Sequence, residues 1–515
     1  MTLAPAPKPA VAPPSPHPRR WAGLAVLSAS LLLVVMDMTI LNVALPAVSA
    51  DLRPGAVELL WMVDVYSLVV SGLLVTVSAL GDRWGRKRTL LTGFTIFGLA
   101  STAVLWAGSP GEVIAVRALL GVGGAMIMPS TLSMIRTLFT DARERATALG
   151  VWSAMASLGA ALGPILGGLL LEHFSWHAAF LVNVPVMVVA IVAGLLLLPE
   201  SRNPAPGRWD AFGTVLSIAG MVALVYSIKQ FGKEGAAGPG PWIALAVAAV
   251  TLTWFVRRCL GRPDPLLEVR LFRSRPFTAG TLVAVTTSIA MAAVMLLMAQ
   301  WMQLVQGHSP LETGMRLLPT ALGALLMSPP APWLAARFGT RPVLAGGLAV
   351  SGLGLGLLPA VPATYPWIAL SLFLLGLGMG SLAIASVAIM AGTPPQKAGS
   401  AAAIEETSYE LGGALGVAVL GSLAAVVYRG ALPPAPAGGG LPGPAADAVR
   451  ESLGGALEVA RQAGAAGAEL ARQAKAAFTT SLEVTGLAGG LLMLAAALAV
   501  WWLVPRDLDV TASHH

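Results

Sequence analysis

Charge is scarce in this chain. Only 11% of its 515 residues are Asp, Glu, Lys or Arg, against 56% hydrophobic residues. A soluble domain of ordinary composition carries about 25% charged residues, so a water-soluble fold is excluded. Cysteine is nearly missing: Cys259 stands alone and no intrachain disulfide can form. His173 and His177 are isolated, without metal-ligand spacing, and no metal site is read there. No HExxH, nucleophile elbow or GxxxxGK[ST] phosphate loop occurs, so neither an enzyme nor an ATP-driven pump is expected, and no catalytic residue is assigned.

Long apolar runs are plentiful. They fall at 21–46, 57–79, 89–108, 112–136, 145–171, 177–198, 211–231, 241–258, 277–305, 313–336, 342–362, 366–391, 398–428 and 481–504. Runs of about 20 apolar residues are transmembrane helices, so an all-α integral membrane protein with fourteen of them is expected. The first is too long for a cleaved signal peptide. The net charge of +7 reports topology rather than nucleic acid. Arg83, Arg86, Lys87, Arg88, Arg136, Arg257, Arg258, Arg337, Arg341 and Lys397 fall in alternate loops, while the other loops hold little more than Arg53, Lys229 and Lys233. That asymmetry places both termini in the cytoplasm.

The expected organisation is a disordered, Pro/Ala-rich N-terminus (1–20), a six-helix half (21–198), a linker with two inserted helices (199–276), a second six-helix half (277–505) and a cytoplasmic tail (506–515). Residues 430–480 lie outside, as an amphipathic helical hairpin or a solvated loop. An internal repeat supports the two halves. In LGDRWGRKR (80–88) and LAARFGTRP (334–342), Leu80, Arg83 and Gly85 recur as Leu334, Arg337 and Gly339, with basic Lys87 and Arg341 two positions after the glycines. LGAALG (158–163) recurs as LGGALG (411–416) at nearly the same offset.

Paired six-helix halves are the plan of major facilitator transporters, and several motifs carry the same resemblance. GDRWGRKR resembles that superfamily's signature loop. RALLGVGGA (117–125) resembles its fourth-helix motif, and SLGAALGPILGG (157–168) its fifth-helix antiporter motif. With DMTILNVALP (37–46), WMVDVYSL (61–68), WHAAFLVNVP (176–185) and IEETSYELGGALG (404–416), the chain is similar to the fourteen-helix drug:proton antiporters, and among them to QacA-type exporters of quaternary ammonium compounds. Three features depart from the pattern: Ser78 before the signature loop, Leu120, and a tenth helix without an interior carboxylate, which bears on dications. The resemblance implies a monomer in the cytoplasmic membrane that exports lipophilic cations against protons, surrounded by lipids, with no cofactor beyond the proton gradient.

The acids carry the chemistry. A carboxylate at a helix centre costs about 2.5–3.5 kcal/mol on insertion scales and faces a bundle interior or a wet cavity. Asp37, Asp64, Glu405, Glu406 and Glu410 are the interior acids, with Arg117 the one clear interior base. One carboxylate can hold either a proton or a cation, and that competition would couple their movements. Acids outnumbering bases also argue against the alternative, a secondary exporter of a neutral or anionic metabolite or antibiotic. Asp37 is a candidate proton or cation site, or else a packing acid bonded to Asn42 or Thr39. Asp64 lies beside Trp61 and Tyr66, either a cation–π setting or an aromatic belt. Glu406 and Glu410 share a helical face, with Tyr409 on the side of Glu406 and Glu405 turned away. Glu406 is the favoured cavity acid. Gln300, Trp301 and Gln303, with Met295, Met298 and Met302, line the pocket or simply pack. Arg117 organises buried hydrogen bonds. Asp82, Arg83, Gly85, Arg86 and Arg88 form a cytoplasmic latch, Asp82 favouring a neighbouring helix N-terminus. Gly159, Gly163 and Gly167, with Pro164, form a smooth helix face, read as a tight gate between halves.

Overall fold

The computed structural model describes residues 18–54, 56–202, 209–234, 238–391, 393–394, 397–433 and 443–505. These residues form helices and short connections. The first half comprises α1 (Arg20–Leu52), α2 (Ala56–Trp84), α3 (Arg86–Ala103), α4 (Pro110–Leu138), α5 (Ala142–His173), the short α6 (Ala178–Leu181) and α7 (Asn183–Leu197). Two helices follow, α8 (Ala211–Glu234) and α9 (Pro239–Gly261). The second half begins with α10 (Arg275–Gln300), α11 (Pro310–Met327), α12 (Ala331–Phe338), α13 (Thr340–Gly356), α14 (Tyr365–Met379) and α15 (Ser381–Ala391). It closes with α16 (Ala398–Leu415), α17 (Gly421–Ala431), α18 (Gly443–Glu451), α19 (Leu453–Gln462) and α20 (Ala468–Leu503). Helix is the only open-chain answer in lipid, where each backbone polar group must be satisfied within its own segment. Two starts are written plainly. Ser109-Pro110-Gly111-Glu112 and Ser309-Pro310-Leu311-Glu312 each close a capping box with proline at the first helical position.

Twelve helices among the described residues are long and apolar enough to cross a membrane. α8 and α9 are two of them. Two of the fourteen expected segments fall short of that length and composition among the described residues. Residues 313–336 divide into α11 and α12 around Pro329 and Pro330, and α11 carries Glu312 and Arg316. Residues 342–362 form α13, whose 17 residues rise only ~26 Å against a hydrocarbon core of ~30 Å.

Segment 430–480 is helical where it is described; its residues 434–442 lie outside the described residues. Val449, Leu453, Ala456 and Ala460 of α18 and α19 are buried with Leu470, Ala474 and Phe478 of α20. Helix α20 has 36 residues, about 54 Å, so it outruns a bilayer core and gives the hairpin its backing.

The repeat is physical as well as textual. Gly85 and Gly339 both adopt positive φ, +113° and +93°, so each motif closes through a turn that favours glycine. A side chain at Gly159 would strike the Leu32 carbonyl, and one at Gly163 the Met36 carbonyl. In the second half Gly412 meets the Val285 carbonyl and Gly416 that of Ile289. Both members of each contact move by the same number of residues, so α10 crosses α16 and its continuation as α1 crosses α5.

That geometry corrects the gate. Gly159, Gly163 and Gly167 face α1 of their own half, through Leu32, Met36, Thr39 and Ile40. The seam between halves uses another face of α5, where Gly150 meets Ser328, Gly168 meets Leu311, and Pro164 and Ile165 meet Gly314.

At the linker, Arg258 and Arg262 hold Asp210, which also accepts from the Gly213 amide at the start of α8. Hydrogen bonds from Arg258 hold the Asp210 carboxyl below the usual carboxylate range. The inserted pair is therefore pinned at one end by charge.

Close packing at Gly163 has a measurable consequence. Gly163→Val should destabilise the folded protein by about 1–3 kcal/mol or more, as overpacking does, lowering the midpoint of thermal aggregation in detergent. Gly413→Ala, which meets nothing within 4 Å, should leave that midpoint unchanged.

Candidate functional site

Helix α16 lies at the seam. It packs against α10 and α15 of its own half, α2 and α4 of the other, and α8. Glu405 and Glu406 are both buried on it. Glu405 accepts from Tyr409 Oη at 3.0 Å and from the Ser386 hydroxyl. Tyr409 thus serves Glu405, its i,i+4 neighbour, and not Glu406 as the sequence pattern proposed. Glu405 Oε2 and Glu406 Oε1 have no hydrogen-bond partner among the described residues. Glu406 also lies within electrostatic reach of Glu405 and Glu410. Two buried, incompletely bonded acids, with the half-buried Glu410 beside them, put three carboxylates on two turns of one helix.

Asp37 is different. It is fully buried, and Arg117 Nη1 reaches its Oδ2 at 3.0 Å. Asn183 Nδ2 donates to its Oδ1 at 2.7 Å and is itself 3.3 Å from Ser101 Oγ. The acid is held between α1, α4 and α7, and its charge is already cancelled. The local partners expected from the sequence do not take it: Thr39 Oγ1 donates to the Met36 carbonyl, and the Asn42 side chain lies outside the described residues. Asn183 was missed as a functional residue. Its signal was present, since a polar residue inside the apolar stretch 178–197 calls for a partner.

Arg117 also donates to the Met62 carbonyl at 3.4 Å, and its guanidinium carbon stands 4.6 Å from the Tyr66 ring centroid. The Tyr66 hydroxyl is buried without a hydrogen-bond partner among the described residues. Gly124 makes room for it; a Cβ there would sit 2.6 Å from the oxygen. Tyr66 lies within electrostatic range of both Asp37 and Glu410.

Asp64 is joined by Lys229 Nζ at 2.6 Å. Two expectations change here. Lys229 lies within α8, half-buried, and not in a loop, so Arg117 is not the only base inside the bundle. Trp61 is 41% exposed, which leaves Tyr66 as the aromatic directed inward. Gln300 is half-buried and Gln303 exposed. Trp301 donates to Thr479 Oγ1 at 3.0 Å and packs with Met298 and Met302 in the core shared by α10 and α20. The ninth predicted helix thus spends its aromatic and methionine residues on packing, away from the acids.

The signature loop does meet the other half. Asp82 Oδ1 accepts from Arg86 Nη2 at 2.8 Å, and Arg86 extends to the Ser133 carbonyl. A side chain at Gly399, in the first turn of α16, would collide with the Asp82 carboxylate. Acid and helix N-terminus are therefore adjacent, the favourable sense of the helix dipole. Ser78 donates to the Gly399 carbonyl at 2.6 Å. Arg136 donates to the Thr393 carbonyl, and Lys397 pairs with Glu268 at 2.6 Å. Arg83, Gly85 and Arg88 face the linker instead: Arg83 over the Trp209 ring, Gly85 against Glu200, and Arg88 3.7 Å from Glu200.

Residues 27–416 match the family described as Major Facilitator Superfamily. The chain is 40% identical over 486 residues to the multidrug efflux pump LfrA of Mycolicibacterium smegmatis, covering 94% of this chain and 96% of that one. It is 40% identical to the methyl viologen resistance protein SmvA of Salmonella typhimurium, over 79% of this chain and 82% of that one. Among solved structures, the human organic anion transporter MFSD10 superposes with a TM-score of 0.55 at 15% identity, over 92% of this chain and 100% of that chain, a likeness of fold alone. With two repeated helical halves meeting at a charged seam, this multi-pass membrane protein belongs to the Major Facilitator Superfamily.

Proposed function

We propose that the chain is a proton-coupled antiporter exporting lipophilic cations, such as quaternary ammonium compounds and dyes, across the cytoplasmic membrane. One observation carries the reading: Glu406 is buried at the seam with an oxygen that no hydrogen bond satisfies. A buried carboxylate is accommodated only with something to cancel its charge, and a proton and an organic cation are the two candidates. They exclude each other, so each displaces the other as the seam opens to one side and then the other. The names of LfrA and SmvA, multidrug efflux and methyl viologen resistance, favour drug-like cargo.

The roles divide by environment. Glu406 and Glu410 hold the cation, and Glu405, bonded to Ser386 and Tyr409, shapes the pocket. Asp37 acts by proton and conformation and not by direct capture of a drug, because a cation could reach it only by breaking its bond to Arg117. Protonation of Asp37 would release Arg117 toward Tyr66 and the seam. Asp82, Ser78 and Arg136 hold the seam closed on the cytoplasmic face. The chain would cross the membrane fourteen times, six plus two plus six, as a monomer with both termini inside; α11 with α12 and α13 would complete the count where neighbouring helices cover their shorter apolar runs. The resemblance to QacA-type exporters belongs to the same proposal.

Four substitutions test this. Glu406→Gln should weaken binding of a lipophilic cation to the purified protein at least tenfold and flatten its pH dependence; in the parent, lowering the pH should weaken binding because protons and cations compete. Asp37→Asn should retain cation binding but lose export driven by a pH gradient in proteoliposomes. Unchanged pH dependence in both variants, with transport intact, would make these acids structural.

Asp82→Asn should leave cation affinity within about twofold of the parent while slowing transport, since it changes the balance of inward- and outward-open states. A collapse of affinity with that balance unchanged would remove the latch.

Topology is accessible through one substitution. Cys259 is buried and is the only native cysteine, so Gly454→Cys, on exposed α19 surface, should react with an impermeant thiol reagent on whole cells. Reaction only after permeabilisation would invert the orientation.

A further inference from the structure

Helices α8 and α9 belong to neither repeated half, yet α8 is not a peripheral spacer. It packs against α2 of the first half and against both α16 and the wide turn at Gly416–Leu420 of the second. Gly72 lets it approach closely; a Cβ there would lie 2.8 Å from Val222. Two turns further along α8, Lys229 reaches Asp64 Oδ1 at 2.6 Å, with side-chain exposures of 21% and 16%. The same ammonium acts electrostatically on Glu410 of α16. One cation, paired with Asp64 of the first half, is thus carried on a helix that also packs against the Glu410 helix of the second.

We propose that Lys229 is a tethered cation that occupies the Asp64–Glu410 carboxylates when no substrate is bound and is displaced by the positive charge of the exported molecule. The inference rests on the cation-exporter reading above and adds a competitor to its site. Lysine suits the task. Its ammonium is a compact charge on a four-carbon stem with rotatable donors, without the fixed bidentate fork of arginine. Such a stem can stay against apolar surface while the head swings toward an interface. The pair is also not a plain surface ion pair of negligible strength, since neither side chain is well solvated. A drug cation entering beside Glu406 meets two further acids already partly satisfied. It binds by exchange, which weakens the complex and leaves an internal cation ready to re-form the resting pair as the drug departs. An exporter gains from that arrangement because release, as well as capture, has to be fast.

The test uses the full-length protein in detergent with tetraphenylphosphonium as the cation and N-phenyl-1-naphthylamine as a neutral lipophile. Lys229→Met, which keeps the length and apolar stem, should tighten tetraphenylphosphonium binding at least tenfold and slow its export, with the neutral probe unchanged. Asp64→Asn alone should weaken cation binding, because Lys229 then repels the probe with less to offset it. Adding Lys229→Met to Asp64→Asn should recover most of that loss, a non-additivity expected only when the two residues act on the same cation. Lys229→Arg should stay within about threefold of the parent. A second readout needs no substitution: saturating tetraphenylphosphonium should raise the rate at which an amine-acylating reagent labels Lys229, followed by mass spectrometry.

Unchanged or weaker binding in Lys229→Met, or labelling of Lys229 that does not rise, overturns the tether while loss of binding in Glu406→Gln leaves the cation-exporter reading standing. A parent protein that binds the neutral probe but no tetraphenylphosphonium at any pH overturns both.

Discussion

A charge inside an apolar bundle has to be cancelled, and the architecture of this chain is arranged around that requirement. Three solutions coexist. Asp37 is cancelled from within its own half, by Arg117 and Asn183. Asp64 is cancelled by a lysine brought in on an inserted helix. Glu406 is given no hydrogen bond for one of its oxygens among the described residues, which is where the proposed exchange of proton and cation would occur. What separates these acids is the company the fold provides.

The repeat makes the asymmetry legible. Glycine contacts of α5 on α1 return as contacts of α16 and its continuation on α10, at one constant offset. Counted at that offset, the position matching Asp37 is Ala290, buried on α10. The scaffold is thus duplicated while the charges are not. One half carries the buried ion pair, the other the open acids, and Tyr66 lies beneath Arg117 and beside the space made by Gly124. A two-state seam needs unlike faces, because two identical charged faces would repel, whereas these can exchange partners as a proton arrives or leaves.

The inserted helices extend the same logic. They are anchored at one end through Asp210, Arg258 and Arg262, and near the other α8 delivers Lys229 to the seam. On the face of the signature loop, Ser78, Asp82, Arg136 and Lys397 bring further polar groups across between the halves and the linker. Polar contacts thus lie at the two ends of the seam, and apolar, glycine-lined crossings within each half.

Sequence alone determined a great deal. Hydropathy located the helical runs, because a twenty-residue apolar segment has one stable backbone form in lipid. The recurrence of Arg83-Trp84-Gly85 as Arg337-Phe338-Gly339 disclosed the duplication, because both turns favour glycine at positive φ. The rarity of charge drew attention to each acid inside an apolar run. What it could not supply was partnership. Nothing local in DMTILNVALP points to an arginine 80 residues away or an asparagine 146 residues away. Lys229 looked like a loop residue because basic residues near helix ends ordinarily are. The glycines of α5 advertised a close crossing but not which helix they would cross. Periodicity fixes the face of a helix, whereas the neighbour of that face is fixed only when all the helices pack together, and in an apolar bundle the neighbour decides whether an acid is a paired ion or a site.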